Sequence, residues 1–171
     1  MMTIFEKSDY IVYDNAGVCL IEDITAKKFD YWDSERLCYV LRPISSSSSM
    51  VFVPVDNEKL TKKMRRIMSK EEIDTILDNV RTRCIIWEND RRRRMEHFKE
   101  ILSAKNQQDM LLLASCIYAK KKELSAIGKK LSSSDEMILK ETERFVNEEF
   151  AFSLKLSTGQ VAEYIQAKLY Q

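Results

Sequence analysis

Trp87 stands four residues ahead of the run Arg91-Arg92-Arg93-Arg94, and Asn89-Asp90 between them reads as a helix cap. The arginines then fill a first helical turn. A helix N-terminus carries partial positive charge and favours acids, so four cations there oppose the local electrostatics, and such a conflict marks a place where function outweighs stability. The chemistry this set can do is anion binding, of phosphate above all, with an aromatic ring at hand to stack on bases or wedge between them. Successive helical residues turn by about 100°, so the four cannot share a face. With Met95, Phe98, Ile101 and Leu102 as the core stripe, Arg92 and Arg93 point outward to meet phosphates, while Arg91 and Arg94 sit at the helix tip beside Trp87. Plainer readings stay open: Arg91 and Arg94 pair with acids such as Asp90, and Trp87 is a packing cap that buries its ring ahead of the helix.

Catalysis has little to stand on. His97 falls mid-helix with no nucleophile nearby in sequence, and only three glycines occur, so there is no phosphate-cradling loop or dinucleotide fingerprint. Adjacent carboxylates such as Glu148 and Glu149 point apart on a helix and suit a solvated face better than acid–base work. Cys19, Cys38, Cys84 and Cys116 are scattered and read as reduced, mostly buried small residues. We expect no enzyme, no metal and no cofactor.

The net charge of +1 conceals an asymmetry: residues 1–57 carry −4, residues 58–131 carry +8, and residues 132–171 carry −3. A polyanion surface in the middle of the chain is one explanation, and a set of solvated lysine- and glutamate-rich helix faces is the other. The lysine clusters at 120–122 and 129–130 belong to the same basic stretch. No run approaches the roughly 18 apolar residues of a membrane span, and the N-terminus lacks the pattern of a secretory signal. A cytoplasmic protein is expected.

The elements that must position these residues change character along the chain. Tyr10–Tyr13, Val18–Ile24, Leu37–Leu41 and Met50–Val55 are short runs rich in β-branched and aromatic residues, with Asp14-Asn15-Ala16-Gly17 as a hairpin turn. The serines at 45–49 read as a loop. A small, strongly bent antiparallel sheet or open barrel follows. Beyond residue 57 the period becomes helical: Ser69 with Glu72, Ser133 with Glu136, and Ser157 with Gln160 have the spacing of helix-opening capping boxes. The expected fold class is α+β, with a β module over residues 1–57 and a bundle of about five helices over residues 58–171.

The segments SDYIVYDNAGVCLIEDI and MVFVPVDN resemble the RNA-polymerase-interaction module of the CarD family of bacterial transcription regulators, a module shared with transcription-repair coupling factors. Trp87 with its basic followers, and LSSSDEMILKETERFVNEEFA from Leu131, resemble the helical domain of the same family. The resemblance spans essentially the whole chain, and without a helicase region it favours the stand-alone regulator. It implies a Tudor-like β module that lays an edge strand beside one in the polymerase β subunit, with Lys27, Phe29, Val51, Phe52 and Val53 as contacts. Phe52 takes a place where an arginine is common in other members, so an apolar contact replaces a charged one. It also implies a monomer, working at the nucleoid, whose helical domain meets promoter DNA at the upstream bubble edge through Trp87, Arg91, Arg92, Arg93 and Arg94 and stabilises the open complex. The gap from Trp87 to the apolar helix is longer than in the best-known members by about one turn, which leaves either Trp87 or the Arg91 position for the minor groove.

Overall fold

The computed structural model describes residues 4–169. It has two compact units that divide between Ile67 and Met68. The N-terminal unit is one antiparallel sheet of five strands, β1 (Tyr10–Tyr13), β2 (Gly17–Lys27), β3 (Arg36–Pro43), β4 (Val51–Pro54) and β5 (Met64–Arg66), in the order β4-β3-β2-β1-β5. Residues 14–16 make a single 3₁₀ turn between β1 and β2, closed by Gly17 at φ 72°, which a side chain would resist. A bulge at Glu22 shifts the register of β2 against β3 between Ile21 and Asp23, and a bulge sharpens the local twist. Ile21, Ile24, Tyr39, Leu41 and Val53 thereby fall on one face, which is the core of the unit.

The division lies beyond the expected one at residue 57 because the chain returns to the sheet. Asn57 accepts a hydrogen bond from the Leu60 N–H and caps the four-residue helix α1 (Glu58–Thr61). β5 then pairs with β1, setting Tyr13 opposite Met64 and Ile11 opposite Arg66. Lys62, Lys63, Arg65 and Arg66 around a single buried Met64 give no alternating apolar signal, so this strand is hidden in the sequence.

The C-terminal unit packs α2 (Lys70–Val80), α3 (Arg91–Ala104), α4 (Gln107–Ala126), α5 (Ser133–Leu154) and α6 (Thr158–Leu169). The capping box of Ser69 and Glu72 forms as its spacing predicts. The one expected at Ser133 and Glu136 lies one residue earlier: Ser132 Oγ accepts the Asp135 N–H at 3.2 Å. Ile73, Leu77, Phe98, Leu113, Phe150 and Val161 bring all five helices into one core. Glu149, expected on a solvated face, is 1% exposed there. Its two oxygens accept from the Met68 N–H at 2.9 Å and from Gln107 Nε2 at 2.6 Å, so it ties α5 to the start of the unit and to α4.

The Tyr164 hydroxyl donates to Asp74 and joins α6 to α2. Burial, then this bond and the Asp74 charge, push the phenol up from 10.0 to about 12. A raised pKa contributes stability that is complete below the unfolded value and disappears as pH rises through the folded one. Tyr164→Phe should therefore cost about 1 kcal/mol near neutrality, and its deficit against wild type in urea unfolding should close between pH 10.0 and about 12.

Candidate functional site

The ten residues from Arg81 to Asp90 link α2 to α3 without regular structure. Asp90 caps α3 by accepting the Arg93 N–H at 3.0 Å, and Glu88 in turn accepts the Asp90 N–H at 2.9 Å. These two acids lie just ahead of the helix, and no acid lies in its first turn. Asp90 thus serves the backbone rather than pairing with an arginine, and the four guanidinium groups find different surroundings.

Arg94 is 7% exposed. Its Nε and Nη2 make a two-pronged bond to Asp135, both at 3.0 Å, and its Nη1 donates to the Glu88 carbonyl at 3.0 Å. The planar group also lies over the Trp87 ring, 4.4 Å from its centroid. Arg94 is therefore a structural cation rather than the DNA contact that the resemblance implies: burial commits its fork to the first turn of α5, as in the plainer reading of an arginine paired with an acid, though the acid is Asp135 and not Asp90. Arg91 reaches the Ser134 hydroxyl at 3.0 Å and stays exposed. Arg92 is 89% exposed and meets Glu96 at 3.3 Å, an exposed pair of a kind worth at most about 1 kcal/mol and easily exchanged for another anion. Arg93 is exposed, and its side chain has no ion pair among the described residues.

Trp87 is half-buried, edge-on to Phe98 with centroids 6.0 Å apart, and has Lys120 Nζ 5.6 Å from its own centroid. Beside it a cleft of about 220 Å³ runs between the loop and α4, lined among others by Arg83, Ile85, Leu112 and Cys116. Cys116 is half-buried there, and desolvation pushes its thiol up. Cys84, against expectation, is exposed. The arrangement offers a rigid, cation-backed aromatic with Arg91, Arg92 and Arg93 presented to solvent.

The other site is a sheet edge. β4 pairs only with β3, so its far side is open. Residues 51–53 divide by alternation: Val53 is fully buried and Val51 packs on the same core, whereas Phe52 lies on the opposite face. Val53 thus keeps its side chain in the core, and any part it takes in docking falls to the main chain of the edge strand. Over the outer face, Phe29 packs edge-on against Phe52 at 5.2 Å and stacks on Tyr31 at 5.6 Å, and Trp32 closes on Phe29 at 4.8 Å. Lys27 Nζ lies 5.8 Å from the Phe52 centroid. Residues 5–68, the sheet and its connecting elements, match the family described as CarD-like/TRCF RID domain.

The N-terminal unit is a CarD-like RID domain. Domains of this family interact with the RNA polymerase β subunit, so the chain has an RNA-polymerase-interacting, transcription-related role. No curated protein matches the chain. Within the RID domain, Tyr31 at 79% exposure, Trp32 and Arg36 join Lys27, Phe29 and Phe52 at the surface beside β4. Tyr31 and Trp32 were not among the expected contacts, although three aromatics within four residues of a polar loop are a usable signal. No helix among the described residues is long and apolar enough to cross a membrane.

Proposed function

We propose that the chain is a transcription-initiation factor that docks on the polymerase β subunit through the open edge of β4 and stabilises the melted promoter. Its helical unit meets DNA at the upstream edge of the bubble through the loop of Trp87 and through Arg91, Arg92 and Arg93, with Arg94 holding that surface in place. The observation that carries this reading is the set of exposed guanidinium groups on the first turn of α3, next to a cation-backed tryptophan, in a chain that also bears an RID domain. A factor of this kind biases the closed-to-open equilibrium only by the difference in its affinity for the two states. Its binding to free DNA is weak and salt-sensitive, and the polymerase supplies the local concentration. Base specificity is low, because the minor groove distinguishes little beyond A·T from G·C. In this reading the protein is a cytoplasmic, nucleoid-associated monomer that binds rather than catalyses.

The packing of Trp87 on Phe98 favours a second reading, in which the tryptophan is a structural cap and the bundle binds another protein. Changing Arg92 and Arg93 together to alanine separates the two. The lifetime of the open complex after competitor challenge should shorten several-fold, and the salt slope of its dissociation should fall by about 0.9 for each phosphate that is no longer neutralised. Melting temperature and polymerase co-purification should hold. An unchanged lifetime would favour the adaptor.

A further inference from the structure

We infer that Ile86, rather than Trp87, is the side chain that inserts between base pairs in the promoter minor groove, while Trp87 is the anchor that holds it out. This rests on the DNA-contacting role proposed above. From Cys84 to Glu88 the loop alternates outward and inward: Cys84, Ile86 and Glu88 are exposed, whereas Ile85 and Trp87 pack against the helical core. An extended segment directs successive side chains to opposite sides, so fixing Ile85 and Trp87 on the core forces Ile86 into solvent. It is 86% exposed, the highest value of any large apolar side chain among the described residues.

A single exposed isoleucine ordinarily calls for no explanation. Here the neighbours supply one, since Arg83 precedes it and Arg91, Arg92 and Arg93 follow it, all exposed. Cationic groups flanking an apolar tip are what the minor groove accepts, and isoleucine is among the side chains that wedge base steps apart. Its branched Cβ also leaves few rotamers to lose on insertion. Trp87 is poorly placed for that task. Its ring lies 4.4 Å from the Arg94 guanidinium and 5.6 Å from Lys120 Nζ, with Phe98 at its edge. To enter DNA it would abandon both cations and uncover Phe98, whereas Ile86 abandons nothing.

The test uses the full-length protein with polymerase and a linear promoter fragment, and reads open-complex lifetime after heparin challenge. Ile86→Ala should remove most of the lifetime extension, about tenfold or more if the side chain is fully buried in the DNA, at unchanged melting temperature and polymerase co-purification. Ile86→Leu should keep the extension, and so should Trp87→Phe, assayed well below its lowered melting temperature. A wild-type lifetime for Ile86→Ala overturns the inference, as does loss of extension in Trp87→Phe at a temperature where that variant is still fully folded. If the wild-type protein itself leaves the lifetime as it is with polymerase alone, the proposed function fails instead.

Discussion

Replacing Arg94 with alanine is expected to destabilise the helical unit by about 3–5 kcal/mol, the range for breaking a buried ion pair from one side. The variant leaves Asp135 buried without its counter-charge, strips one cation from the Trp87 ring and frees the Glu88 carbonyl. Urea unfolding would show a lowered midpoint. Arg94→Lys should recover only part of the loss, because a point charge cannot make the two-pronged bond to both Asp135 oxygens. The double change of Arg94→Met with Asp135→Leu should be less damaging than Arg94→Ala, since it removes the stranded charge with the pair. If Arg94→Ala matches wild type, Arg94 is not a structural cation.

The second large effect is expected at the polymerase. The Val55 N–H donates to the Leu37 carbonyl at 2.9 Å. With Val53 opposite Tyr39 and Val51 opposite Leu41, alternation turns the amides of Val51 and Val53 toward β3 and those of Phe52 and Pro54 outward. Pro54 has no N–H, so within β4 Phe52 holds the one outward donor. Proline is tolerated on an edge strand where its missing N–H would face solvent. Phe52→Pro should therefore fold, yet lose polymerase affinity by about ten- to hundredfold, because the partner strand keeps an unsatisfied acceptor. Phe52→Ala retains the donor and should lose less. Equal affinities for the two variants in a pull-down titration would mean that main-chain pairing at β4 does not make the contact.

Features encoded over a few residues were legible in the sequence. The turn at 14–17, the Ser69–Glu72 cap and the Asp90 cap depend on neighbours within four positions, and the structure has all three. What escaped depends on partners far along the chain. Arg94 and Asp135 lie 41 residues apart, and nothing local distinguishes Arg94 from the three arginines before it. Three successive serines at 132–134 offered several cap registers, and the fold uses the one that places Asp135 where Arg94 binds it. Glu149 looks like its exposed-type neighbours until Met68 and Gln107 are brought to it. β5 is recognisable only once β1 is there to pair with it. The basic first turn was visible at once, but which arginines reach solvent was decided by tertiary packing.

The open edge of β4 also governs how the protein treats copies of itself. Exposed strand edges invite self-association and aggregation. Two such edges laid antiparallel through Phe52 would exchange one pair of main-chain bonds and then meet the prolines at position 54, too little to hold a dimer or to propagate a fibre. A foreign strand gains more, since beside the same short ladder it can add side-chain contacts to Phe52 and the aromatics packed around it. In the proposed docking mode the edge is therefore sticky toward a matched strand and offers little to a second copy of itself.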